Sequence, residues 1–149
     1  MRYTTEIVID LPRDRVIELM DDVDNLKHWQ AGLQSVEHIS GQPGQVGAKS
    51  KMVFDENGRT VEMVETITKR NFPDEYDATY EAGGVYNIQE NQFIAEGPDK
   101  TRWVSVSEFQ FSGFMRIMAF FMGGAFRKQS QKVMQDFKRF AENAERTST

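Results

Sequence analysis

The chain has no cysteine, which removes disulfides, thiolate metal sites and cysteine nucleophiles together. Its two histidines, His28 and His38, stand ten residues apart on different expected elements, with no third ligand at the spacing zinc requires. No metal and no cofactor is therefore expected. Long hydrophobic runs are also missing. The most apolar stretch, Phe114 to Phe126, is broken by Arg116 and Gly123-Gly124 and falls short of the roughly 20 residues a spanning helix needs, so no stable membrane insertion is expected. Excess positive charge is absent too: the formal net charge is -5 and the isoelectric point about 5.1, a field that repels phosphate backbones. No nucleic acid partner is expected. The opening MRYTTEIVIDLP turns polar within a few residues and lacks a signal peptide's apolar core, so export is not expected and the cytoplasm is the expected compartment.

What is present is a globular balance, 39% hydrophobic and 28% charged, in a length that supports one core. One domain over residues 1–145 is expected, followed by a polar tail, Arg146 to Thr149, that should fray. Thr5 to Leu11 is a β-branched run stopped by Pro12, the pattern of a strand leading into a helix start. Val16, Leu19, Met20 and Val23 then recur at helical spacing, and Asn25 to Gln30 makes a further short turn carrying Leu26 and Trp29. Strands follow at Leu33–Ile39, Lys49–Asp55, Arg59–Arg70, Tyr76–Glu81, Val85–Ala95 and Thr101–Phe111, with Asn57-Gly58 marking a tight hairpin. Beyond Ser112-Gly113 the period changes. Phe126, Ser130, Val133, Phe137, Phe140, Ala141 and Ala144 define one face of a long helix, and Gly123-Gly124 marks a kink or the true start of that helix.

The expected class is α+β: a curved antiparallel sheet of about seven strands around a long C-terminal helix, with two short helices after strand one. The sheet's apolar face must be covered, and that helix is the only large element available.

The segment from Ile9 to Ser50, IDLPRDRVIELMDDVDNLKHWQAGLQSVEHISGQPGQVGAKS, runs as strand, proline, valine-bearing helix, aspartate, tryptophan, Val-Glu strand and glycine loop. In this it resembles the START-like superfamily, also called SRPBCC, and the likeness in element order extends over almost the whole chain. The resemblance implies the helix-grip fold and a deep cavity between sheet and helix that takes a small hydrophobic molecule: a lipid, polyketide, steroid or quinone. It leaves the use open, because the superfamily hosts carriers, cyclases and chaperone activators on one scaffold.

The loop Gly41 to Gly47, GQPGQVG, is followed by a strand rather than a helix N-terminus, so it reads as a tight turn and not as a phosphate cradle. Period two in the strand from Arg59 groups Val61, Met63, Glu65 and Ile67. Either Glu65 points inward, where burial would raise its pKa and suit it to acid-base work, or a bulge returns it to solvent or to an arginine. It is the one candidate catalytic residue. On the last strand Trp103, Ser105, Ser107, Phe109 and Phe111 share the expected interior face, and no histidine or aspartate is spaced to make either serine a nucleophile. His28 beside Trp29 reads either as a base at a cavity mouth or as a surface histidine next to a packing ring. The expected pocket comprises Trp29, Phe54, Met63, Glu65, Tyr80, Trp103, Phe109, Met118, Met122 and Phe126, with Glu65 and Tyr80 as polar anchors.

Between Phe114 and Phe126 the segment is apolar nearly all round. It is a flexible cavity wall, a homodimer contact, or an element that inserts transiently at a membrane surface. Three functions stay open accordingly: binding a small apolar or amphipathic ligand, cyclase- or dehydratase-type catalysis on one, or protein interaction through residues 114–122.

Overall fold

The computed structural model describes residues 1–147. Seven strands, β1 (Arg2–Ile9), β2 (Leu33–Ser40), β3 (Lys49–Glu56), β4 (Arg59–Asn71), β5 (Glu75–Ala82), β6 (Val85–Ala95) and β7 (Thr101–Phe111), form one antiparallel sheet in the order β1-β7-β6-β5-β4-β3-β2. The six later strands are a meander, as short turns require. β1 pairs with the last of them. A 3-10 turn, Val23–Asn25, separates the two short helices, α1 (Arg13–Asp21) and α2 (Leu26–Trp29), and the chain ends in α3 (Phe114–Met122) and α4 (Ala125–Thr147). This is the helix-grip architecture. The first two residues of the expected tail continue α4, and Ser148 and Thr149 lie outside the described residues.

Strand one sits earlier than the β-branched run suggests. Its ladder closes at Ile9↔Thr101 and extends back to Arg2↔Glu108, because β7 is long enough to recruit Arg2 to Thr4. Asp10 and Leu11 leave the sheet with other partners: the Asp10 amide donates to Glu142 at 2.9 Å, and the Leu11 carbonyl accepts from the Thr101 hydroxyl at 2.8 Å. Asn57 and Gly58 both take positive φ, 54° and 83°, the tight two-residue turn between β3 and β4. In the glycine loop, a Cβ on Gly41 would stand 2.8 Å from the Ala48 Cα, so the close return of the chain requires glycine there.

The core lies at one end of the molecule. Ile9, Val16, Leu19, Trp29, Phe93, Trp103, Met134, Phe137 and Ala141 pack between β1, β6, β7, α1, α2 and the C-terminal half of α4. Phe137 is fully buried, with ring centroids 4.9 Å from Trp29 and 5.7 Å from Trp103. Polar ties fasten α4 along β1: Tyr3 donates to the Phe126 carbonyl at 2.9 Å and meets the Ser130 hydroxyl at 2.7 Å, and Lys138 donates to the Val8 carbonyl at 2.7 Å. Arg15 of α1 pairs with Glu145 near the far end of α4. At the other end of the sheet, Gly123-Gly124 separates α3 from α4, so the glycines mark the true start of the long helix.

Candidate functional site

Cross-strand neighbours share a face, so the ladders give a row across the helix-facing side of the sheet: Ser50↔Glu65, Glu65↔Tyr80, Tyr80↔Asn87, Asn87↔Phe109. Glu65 therefore points to the same side as the core. β4 does carry a bulge, but it falls between Ile67 and Lys69, beyond Glu65. Its effect is on the residues that follow: with Thr68 as the extra residue, Lys69 turns outward opposite Asp77, and Arg70 turns inward opposite Tyr76. There Arg70 makes a two-pronged ion pair with Asp21 of α1, at 2.9 and 2.7 Å, and lies 4.8 Å over the Phe72 ring.

The Tyr80 hydroxyl donates to the Glu65 carboxylate at 2.8 Å. Burial raises the Glu65 pKa, and the Tyr80 hydrogen bond only partly offsets it. Burial also raises the Tyr80 phenol well above its ordinary value, reinforced by the Glu65 charge. Tyr76 is pushed up in the same way, by burial first and then by Glu65 and Asp21. Both phenols thus stay protonated, and the carboxyl, which starts from the lowest value of the three, is the member of the group that can exchange a proton. Such an arrangement can hold a ligand hydroxyl or carbonyl, or pass a proton to one.

The expected pocket residues fall into three groups. Phe54, Met63, Glu65, Tyr80, Phe109 and Phe126 occupy the helix-facing side toward the α3 end, where all but the buried Phe54 are partly accessible. The Phe109 and Phe126 rings are 4.8 Å apart and join β7 to the first turn of α4. Trp29 and Trp103 belong to the packed core, six residues along β7 from Phe109, or roughly 20 Å. Trp103 donates to Asn91 at 3.0 Å, while the Trp29 Nε1 is buried without a partner among the described residues. Met118 and Met122 are exposed on α3. His28 is a surface residue stacked on Phe140 at 5.5 Å. Among the described residues no cluster of three or more His, Asp or Glu could hold a metal ion.

A set of interior amides joins the site without a mark in hydrophobic periodicity. Asn87, Gln89 and Asn91 point to the helix side from β6. Asn91 donates to the Tyr76 carbonyl at 3.0 Å and accepts from Trp103. Asn87 donates to the Glu108 carbonyl at 3.0 Å and accepts from Gln89 at 2.9 Å. Hydrophobicity marks no single face of this strand, since Val85 and Phe93 lie inward while Ile88 and Ile94 lie on the outer face. The available signal was three amides at period two, which a polar-lined interior explains and a solvated face also explains.

The sequence pattern of the family described as polyketide cyclase / dehydrase and lipid transport matches residues 1–142. The chain belongs to that family. No curated protein matches it. Solved structures agree on the fold. The Zhui aromatase/cyclase from a Streptomyces species superposes with a TM-score of 0.80 at 13% identity, covering 95% of this chain and 93% of its own. A Thermus thermophilus protein gives 0.77 at 17% identity, over 97% of this chain and 99% of its own. The protein titled Ara h 8.0201 gives 0.72 at 17% identity, over 96% and 98%. These identities establish a common fold for the polyketide cyclase / dehydrase and lipid transport family member described here, and leave its chemistry to its own side chains.

Proposed function

We propose that this protein binds a small apolar or amphipathic molecule between the α3 end of its sheet and α4, with the Glu65–Tyr80 pair as the polar anchor. The observation that carries this reading is the 2.8 Å hydrogen bond between a carboxyl of raised pKa and a phenol, set on a face that also offers Phe54, Met63, Phe109 and Phe126 beside the interior amides. Binding sites for small molecules have this make-up: apolar walls and a few placed polar groups. Native mass spectrometry of the freshly purified protein, followed by solvent extraction, tests it. A co-purifying molecule whose removal shifts the NMR signals of Tyr80, Phe109 and Phe126 is the expected result. Protein that emerges empty and binds none of a panel of lipids and hydroxylated aromatics overturns the reading.

The same pair favours a second reading, cyclase- or dehydratase-type catalysis, because an acid and a hydroxyl converge on one partly buried point and Tyr76 senses the same charge. The family description is consistent with either use. The two separate on the fate of the identified ligand: a binding protein releases it chemically unchanged and loses affinity on Glu65→Gln, whereas an enzyme converts it and loses turnover on that substitution.

A further inference from the structure

Helix α3 buries one side chain, Ala119, and meets the body through Met115, which packs on Gly84 so closely that a Cβ there would come within 2.7 Å of its Cγ, and through Arg116, which donates to the Phe111 carbonyl at 3.3 Å. The rest of its apolar surface faces outward. Phe114 is 70% exposed, Phe120 84% and Phe121 78%, and Ile117, Met118 and Met122 are exposed beside them. Phe120 and Phe121 stack edge-on against each other. So much contiguous apolar surface on one short helix marks a contact with something other than water.

Charge identifies the partner. The chain carries a net charge of -5, yet between Phe109 and Gln135 there is no aspartate or glutamate, while Arg116, Arg127 and Lys128 stand there, joined by Lys132, whose ammonium pairs with Asp136 at 2.6 Å. A two-fold contact with a second copy would place these cations against their own images. An anionic lipid surface instead receives the apolar side chains below its head groups and neutralises the cations at their level. We propose that α3 and the first turns of α4 form a reversible docking face for an anionic bilayer. At nine residues α3 lies in the interface and does not cross it. None of these side chains belongs to the Glu65–Tyr80 pair, so the inference stands or falls independently of the bound ligand.

Flotation of the full chain with phosphatidylcholine vesicles, with and without about one-third phosphatidylglycerol, tests this. The expected result is binding to the anionic vesicles alone, weakened by raised salt and by Lys128→Glu. The double variant Phe120→Ser/Phe121→Ser should lose about tenfold or more in partitioning, with thermal unfolding unchanged because both rings are solvent-exposed. Flotation that fails, or that ignores lipid charge or the double substitution, overturns the proposal. So does a dimer, seen by light scattering, that the double variant abolishes, since the face would then belong to a second copy.

Discussion

Tyr80 and Glu65 face each other across the β4–β5 ladder with hydroxyl and carboxylate 2.8 Å apart. Direct opposition brings the two side chains within reach, and the surrounding protein makes the contact matter by removing the water that would otherwise solvate the charge. The carboxyl consequently titrates above an ordinary glutamate.

This shift sets a pH dependence. A carboxyl that holds its proton more tightly folded than unfolded adds stability below the unfolded value of about 4.3. That contribution is lost as pH rises from there through the folded pKa. Glu65→Gln removes the titration, so the variant should gain on the native protein as pH rises. A difference on the order of 1 kcal/mol at neutral pH is expected, vanishing toward acid. Urea unfolding at several pH values measures it, and a difference that does not change with pH contradicts the assignment.

Tyr80→Phe deletes the donor that favours the ionised carboxylate. The Glu65 pKa should move further up, visible in an NMR titration of its carboxyl carbon. Stability should fall by about 1 kcal/mol, the usual net worth of such a bond.

At the other end of the molecule Phe137 is fully buried between Trp29 and Trp103. Phe137→Ala leaves a cavity that rigid aromatic neighbours cannot fill. The expected loss is ~3–5 kcal/mol in denaturant unfolding. The Glu65 titration should persist wherever the variant remains folded, because the core and the pair lie at opposite ends of the sheet.

Gly32 takes a φ of +82° as the chain enters β2, and a Cβ there would clash with the Asp55 carbonyl. Gly32→Ala should cost roughly 2 kcal/mol or more, through left-handed strain and displacement of the β2–β3 edge. Accelerated amide exchange along β2, with β6 and β7 unaffected, is the expected signature.

Much of this protein was legible one residue at a time. The bounds of β6 and β7, the Asn57-Gly58 turn and the glycine break before α4 follow from local periodicity and backbone preference, and these act within a few residues of sequence. Long-range pairing decided the rest. β7 pulled β1 back to Arg2, an edge that β-branched composition does not mark. Glu65 keeps the face that its period-two count gives, because the extra residue comes later, at Thr68, where it turns Arg70 inward onto Asp21, a change that count does not show. The split of the expected pocket has the same cause: Trp103 and Phe109 share an apolar character and one face of β7, but position along the strand places Trp103 in the packed core with Trp29 of α2 and Phe109 beside the Glu65 row with Phe126 of α4. Local periodicity and the order of the elements determined that the chain would wrap a sheet around a helix. Only the register and packing of the folded chain decided which side chains would share the site.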